Sequence, residues 1–440
     1  MSALPIVVLG AGPAGLAAAE AASAGGHPVL IIDENPAPGG QIWRGACDAN
    51  ADRAPGAGDD RGARLCAQLR ARPHVSWLAG ARAAAPAGPG ALLVETAGAD
   101  AARIVPWEKV IVCSGARELL LPFPGWTLPG VTGAGGLQAL LKGGMPVAGK
   151  RVVVAGSGPL LLAVAASVRA QGGQVAAIVE QRSSAQLARF AARLAWSQRG
   201  KLWQALRLAA GLGGVPYLRG ATVSAALGSG RLERVTVSRG GARSAIELAC
   251  DFLACGFGLV PALETASLFG CAGGQAGVQV DQYQRSSVAG VWAAGELTGI
   301  GGVDKSLAEG RIAGLDAVGQ APSASELDAR SRAWRFAALL AHSFAPQPAL
   351  RSLCQDDTIV CRCEDVRVAE LAPHGGWRSA KLQTRVGMGP CQGKVCGAAC
   401  QFLYGWEAPG LRAPVFPLLA GSLAAIGKEQ GAPCAPPDTN

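Results

Sequence analysis

Ile6-Val7-Val8-Leu9-Gly10-Ala11-Gly12-Pro13-Ala14-Gly15 decides the fold: four apolar residues run directly into a GxGxxG loop. An Ala-rich helix is expected to about Ala24, then a second apolar strand, Val29–Ile32, ending at Asp33-Glu34. A GxGxxG alone is weak, but between strand and helix with an acid at this distance it reads as a dinucleotide-binding turn. Gly10 makes the tight turn, Gly12 lets the backbone approach a pyrophosphate, and Gly15 lets helix pack closely on strand. Pro13 and Ala14 open the helix, whose N-terminal N–H groups and positive dipole end favour phosphate. Asp33 is expected to accept from ribose hydroxyls, with Glu34 as the second choice.

The unit recurs downstream. Val152–Ala155 leads into Gly156-Ser157-Gly158-Pro159-Leu160-Leu161, a helix, and Val175–Val179 with Glu180. Gly156, Gly158, Pro159 and Glu180 thus form a second candidate nucleotide site, but Leu161 stands where the third glycine belongs. A side chain there holds helix and strand apart or forces a different angle. NAD turnover, an ATP-type adenine-nucleotide role and a purely structural role all stay open. Glu180 favours an unphosphorylated ribose; Arg182 keeps NADP in play.

Composition bounds the remainder. At 440 residues, half hydrophobic and 16% charged, the chain calls for two or three globular domains. The net charge of +9 suits anionic cofactors or an acidic partner protein. The scattered basic residues, without aromatic-basic motifs, argue against nucleic acid. The first Lys or Arg is Arg44, so no export or transit signal is expected, nor any transmembrane segment, and the location expected is cytoplasmic. Thirteen cysteines are then expected to be mostly thiols, metal ligands or core residues, not a disulfide framework. Cys250 and Cys255 read as core thiols. Disulfide reduction needs two cysteines beside the cofactor, and only Cys47 follows Gly39-Gly40 closely.

The first site has three further parts. Asn35-Pro36-Ala37-Pro38-Gly39-Gly40-Gln41 resembles the FAD end of flavoproteins with two dinucleotide-binding domains. Val110-Ile111-Val112-Cys113-Ser114-Gly115 resembles their ATG-type motif. Val291-Trp292-Ala293-Ala294-Gly295-Glu296 resembles the segment whose acid, usually Asp, bonds the flavin ribityl chain. Gly40, Gln41, Ser114, Gly115, Gly295 and Glu296 join the candidate FAD residues on that likeness. Glu296 is one methylene longer than the pattern.

Near the C-terminus stand Ile359-Val360-Cys361-Arg362-Cys363-Glu364-Asp365 and Gly387-Met388-Gly389-Pro390-Cys391-Gln392-Gly393-Lys394-Val395-Cys396. Two cysteine pairs joined by a helical segment can converge four thiolates on zinc or on an iron–sulfur cluster. The signatures resemble the BFD-like (bacterioferritin-associated ferredoxin-like) [2Fe–2S] domain, which implies Cys361, Cys363, Cys391 and Cys396 as cluster ligands. Pro373-His374-Gly375-Gly376 interrupts a connection that is short for that family. Cys400 reads as a packed thiol, and Cys354 carries no assignment.

Together these stretches, with Leu121–Val131 and Gly299–Gly310, make the chain similar to the alpha (A-type) subunit of heteromeric FAD-dependent amine dehydrogenases. That group comprises D-hydroxyproline dehydrogenase, opine oxidase and hydrogen cyanide synthase. The resemblance implies an α/β fold with two Rossmann-like domains and a small helical BFD-like [2Fe–2S] domain. The expected boundaries are 1–120 with 265–320 for FAD, 146–264 for the NAD-type domain and 321–350 for a helical linker. The BFD-like domain is expected at 351–405 and a C-terminal tail at 406–440.

The resemblance also implies a partner: a second FAD-containing, amine-oxidising subunit, with room for an interfacial FMN and a small third subunit. The reaction expected is oxidation of a secondary amino acid, D-hydroxyproline-like, with electrons leaving to an acceptor other than NAD. His27, His74, His342 and His374 form no recognisable pairing, and no catalytic residue is expected in this chain. The contrary readings are an NAD(P)H-dependent flavin/iron–sulfur reductase and a non-enzymatic iron-handling protein.

Overall fold

A computed structural model describes residues 4–45, 47, 60–98, 102–239, 245–407 and 410–430. The chain folds as two compact units: 1–116 with 261–334 and 411–440, and 117–260 with 335–410.

Each unit is built on one plan, as the repeated glycine loop requires. In the first, a five-stranded parallel sheet runs in the order Val291–Ala293, Val110–Val112, Ile6–Leu9, Val29–Asp33, Val75–Ala79. All four residues of Ile6–Leu9 are buried, as a central parallel strand covered on both faces must be. The helix Pro13–Ser23 packs against the helix Val303–Ala317. Gly310 and Gly314 let them touch, because a Cβ at either would overlap the backbone of Ala14 or Ala18. An antiparallel sheet of Ala81–Gly88, Ala91–Thr96 and Arg103–Pro106 completes the plan. The segment after Leu411, expected only as a tail, rests on this sheet: Val415 N–H donates to Ala84 at 3.1 Å, and Ser422 Oγ to Glu95 at 2.9 Å. Residues 431–440 of that tail lie outside the described residues.

The second unit repeats the arrangement with Tyr217–Arg219, Gln174–Glu180, Arg151–Gly156, Phe252–Gly256 and Val131–Gly133 in one parallel sheet. Ala221–Leu227, Arg234–Arg239 and Ala245–Ala249 form its antiparallel sheet. Cys250 and Cys255 lie in its core, 0% and 3% exposed, as expected of apolar thiols. Leu161 is fully buried without splitting helix from strand. The room comes from Gly256 on the facing strand, where a Cβ would lie 3.0 Å from Leu161 Cδ2.

The cysteine segments belong to this unit. Trp126 Nε1 donates to the Ile359 carbonyl at 2.6 Å and Arg117 Nε to Lys394 at 3.1 Å. The Arg362 guanidinium lies 5.2 Å from the Trp126 ring centroid. Among the described residues no helix is long and apolar enough to cross a membrane.

Candidate functional site

The first glycine loop is shaped by close approaches. Gly10 has φ +108°, and a Cβ there would overlap the Cys113 carbonyl. At Gly40 a Cβ would come within 3.0 Å of the Gly12 Cα, so the Pro38-Gly39-Gly40 turn lies directly over the loop. The helix begins with Pro13 after an extended Gly12, and no side chain caps it. Its first N–H groups are therefore not taken by a capping side chain, which suits a phosphate.

Asp33 ends its strand nearly buried. One carboxylate oxygen accepts from Ala11 N–H; the other accepts from Asn35 N–H at 2.7 Å and Asn35 Nδ2 at 2.8 Å. Asp33 thus fixes the loop itself, while Glu34 is exposed. Arg44 Nη2 donates to Asn35 at 3.2 Å and to Gln41 at 3.3 Å, and its buried Nε has no partner. An orphaned guanidinium N–H beside a glycine cradle fits an anionic cofactor.

The ATG-like and Gly-Glu motifs reach the same sheet edge. Ser114 Oγ donates to the Ala262 carbonyl at 2.8 Å. Gly295 abuts the first helix, where a Cβ would lie 2.7 Å from that of Ala14. The Glu296 carboxylate accepts from Gly302 N–H at 2.6 Å and Gly301 N–H at 3.1 Å, at the start of the helix Val303–Ala317. Burial raises its pKa, against the pull of those donors and of Lys305.

Beneath this edge lies a charged cluster that motif reading did not assign. Lys305 and Glu309 are both fully buried and paired at 2.8 Å. Lys305 Nζ also donates to the Gly295 carbonyl and to Thr298 Oγ1, each at 2.8 Å, and Glu309 accepts from Gly295 N–H at 2.9 Å. Trp334 Nε1 donates to Glu309 at 2.7 Å, and its ring stands 4.6 Å from Lys305 Nζ. The i, i+4 spacing inside Gly299–Gly310 was the available signal.

Also unforeseen is a disulfide between Cys47 and Cys66. Cys66 escaped because it arrives on a helix, Arg61–Arg70, remote from the glycine turn in sequence. With the two cysteines 2% and 1% exposed, the bond is closed to a disulfide substrate. Disulfide reductase chemistry stays disfavoured, although the pair it would need now exists.

At the second loop, Glu180 accepts from Gly158 N–H and Arg182 N–H, each at 2.9 Å, and from Ser157 Oγ at 3.1 Å. It is fully buried, and desolvation raises its pKa. The chain's own segment 344–347 lies over the loop. Phe344 meets Gly158, where a Cβ would lie 3.3 Å from the ring, and stacks edge-on against Phe190 at 4.7 Å. Arg182 donates to the Ala345 carbonyl, and Gln347 Nε2 to Gln181 at 3.1 Å.

Cys361, Cys363, Cys391 and Cys396, with Arg362 and Val395, line one cavity of about 300 Å³. The Cys361 thiol is pulled down to about 5, first by the Cys396 thiol donating to it, then by N–H groups of Gly387, Glu364 and Cys363. Trp377 braces the loop, packed where a Cβ on Gly387 would come within 2.7 Å of its ring. Among the described residues no group of three or more His, Cys, Asp or Glu is arranged to hold a single metal ion. Backbone N–H groups meet two of the four thiols, Cys361 and Cys363, and four thiols are a donor type that an iron–sulfur centre accepts. Cys400 is fully buried one turn beyond Cys396, and Cys354 Sγ donates to the Pro122 carbonyl at 3.1 Å. His74 Nε2 donates to the Ser23 carbonyl at 2.8 Å and His374 meets Ser379 Oγ at 3.0 Å.

Two dinucleotide folds, one with an open phosphate cradle, define a flavin-type oxidoreductase. The chain belongs to the pyridine nucleotide-disulphide oxidoreductase family, whose model matches residues 4–318. Within it the chain's relatives include proteins named as subunits of opine oxidase and of hydrogen cyanide synthase. It is 34% identical to the A-type chain of opine oxidase from Rhizobium meliloti (strain 1021), over 90% of this chain and 91% of that protein. It is 30% identical to the HcnB chain of hydrogen cyanide synthase from Pseudomonas aeruginosa, over 96% of this chain and 99% of that protein. Among solved structures it resembles L-proline dehydrogenase from P. horikoshii, with a TM-score of 0.66 at 17% identity, covering 95% of this chain and 78% of that one. Thioredoxin reductase of T. acidophilum shares the fold over 71% of this chain and 97% of its own, with a TM-score of 0.54 at 22% identity.

Proposed function

We propose that this chain is the electron-relaying subunit of a heteromeric FAD-dependent dehydrogenase. The complex oxidises a secondary amino acid of D-hydroxyproline type to an imine, and electrons leave through flavin and a [2Fe–2S] centre to an acceptor other than NAD. The observation that carries this reading is the convergence of Cys361, Cys363, Cys391 and Cys396 on one cavity. Relatives that bear subunit names support a partner chain, here assigned the amine pocket.

Bound flavin supplies two-electron acceptance, and a cluster supplies single-electron transfer. The chain's own residues hold these groups. Gly12 and the first N–H groups of the helix Pro13–Ser23 would receive the pyrophosphate, with Arg44 Nε as a further donor. Gly387, Glu364 and Cys363 N–H groups stabilise negative charge on Cys361 sulfur.

A reductase fed by NAD(P)H is the reading from the second glycine loop. Phe344 packed on Gly158 and the Arg182 bond to Ala345 count against it, because that segment lies where a pyrophosphate needs access. The deciding experiment purifies the native complex, measures flavin, iron and acid-labile sulfide, and mixes it anaerobically with D-hydroxyproline or NADH. Flavin bleaching by the amine and not by NADH supports the relay. Rapid reduction of the isolated chain by the amine would place the chemistry here instead.

A further inference from the structure

Residues 181–232 contain eight Lys or Arg, Arg182 and Arg231 among them, and no Asp or Glu, in a chain whose whole net charge is +9. Within that run two helices, Ser184–Ser197 and Arg199–Ala210, follow one another with only Gln198 between them. The first buries Phe190 and Leu194; the second buries no side chain. Trp196 is 92% exposed and Trp203 67%, unusual for the largest apolar side chain.

The exposed residues fall on stripes. Arg189, Arg193 and Trp196 recur at i, i+4, i+7 on the first helix, and Arg199, Trp203 and Leu206 do so on the second, followed by Arg207. Each helix thus carries arginine and an exposed tryptophan on one stripe. A headgroup layer rewards this mixture. Guanidinium meets lipid phosphate while an indole settles at the acyl boundary.

We propose that the helix pair 184–210 docks on an anionic lipid surface, with Trp196 and Trp203 entering the headgroup layer and the flanking arginines meeting phosphates. Charge complementarity selects the occupant: an acid-free segment faces the negative potential of an anionic leaflet without an internal repulsive partner. Docking is peripheral, since among the described residues no helix can span. It is independent of which amine the complex oxidises.

The test sediments full-length protein with vesicles of phosphatidylcholine alone, or with about one third phosphatidylglycerol. Binding is expected only to the anionic vesicles and is lost in about 0.5 M salt. Trp196→Ser/Trp203→Ser is expected to lower partitioning at least about tenfold. Arg193→Glu/Arg199→Glu is expected to do the same with both indoles in place, and neither pair should change thermal unfolding, since the four side chains lie at the surface. Equal binding to both vesicle types, no binding of wild type, or undiminished binding of the variants overturns the proposal. Loss of a copurifying acidic protein from the tryptophan variant, with no vesicle binding by wild type, assigns the face to a protein and also overturns it.

Discussion

Phe344 stands against Gly158: a methyl group added to this glycine, at φ +100°, would lie 3.3 Å from the phenyl ring. The turn that should approach a pyrophosphate is thus in van der Waals reach of the chain's own aromatic side chain. Anaerobic NADH is expected to leave the flavin oxidised. Phe344→Ala removes the ring and is expected to raise the affinity for ADP, used as the probe, at least about tenfold by calorimetry. Prompt bleaching of wild type by NADH would sink this account of the second site.

The buried pair supports the second prediction. Lys305 and Glu309 are both fully enclosed at 2.8 Å, so removing one partner strands a charge. Lys305→Met is expected to destabilise by about 3–5 kcal/mol, measured by chemical unfolding. Lys305→Met/Glu309→Leu should recover only part of that loss, because Gly295 N–H and Trp334 Nε1 then lack their acceptor.

What the sequence discloses, and what it hides, divides by range. Gly10, Gly12 and Gly15 were legible because turn geometry and helix approach are local demands on residues a few positions apart. The burial of Ile6–Leu9 was legible for the same reason. The Phe344–Gly158 contact, the Cys47–Cys66 bond and the Gly256 recess that receives Leu161 join residues remote in sequence. No short-range pattern announces them. Glu296 shows an intermediate case: its motif located it, but the two N–H groups it accepts from depend on the turn at Gly301-Gly302.

A pH prediction follows from Asp251. Its pKa is lowered first by the hydrogen bond from Arg151 N–H, at 2.8 Å, with the Arg151 charge assisting. A carboxylate depressed in the folded state adds stability above its unfolded value, and that stability disappears as pH falls through the folded value. Asp251→Ala is expected to lose about 1 kcal/mol near neutral pH. The gap between variant and wild type, read from urea midpoints, should narrow at about pH 3.

The last prediction separates ligands from neighbours among the C-terminal cysteines. Cys391 lines the shared cavity, whereas Cys400 is packed a turn beyond Cys396 and does not. Cys391→Ser is expected to abolish the visible absorption of a [2Fe–2S] centre and the bound iron and sulfide, leaving the flavin spectrum in place. Cys400→Ser should retain all three, with a stability loss of about 1 kcal/mol, because it exchanges a buried apolar thiol for a hydroxyl. Gly389→Ala gives an independent check, since a Cβ there would overlap that of Cys363 and must shift the ligand loop without removing a sulfur. It is expected to lower cluster occupancy while the thiol titre of the unfolded apoprotein stays unchanged. Full iron and sulfide in Cys391→Ser would remove that residue from the ligand set and leave the four-thiol cavity without its assigned purpose.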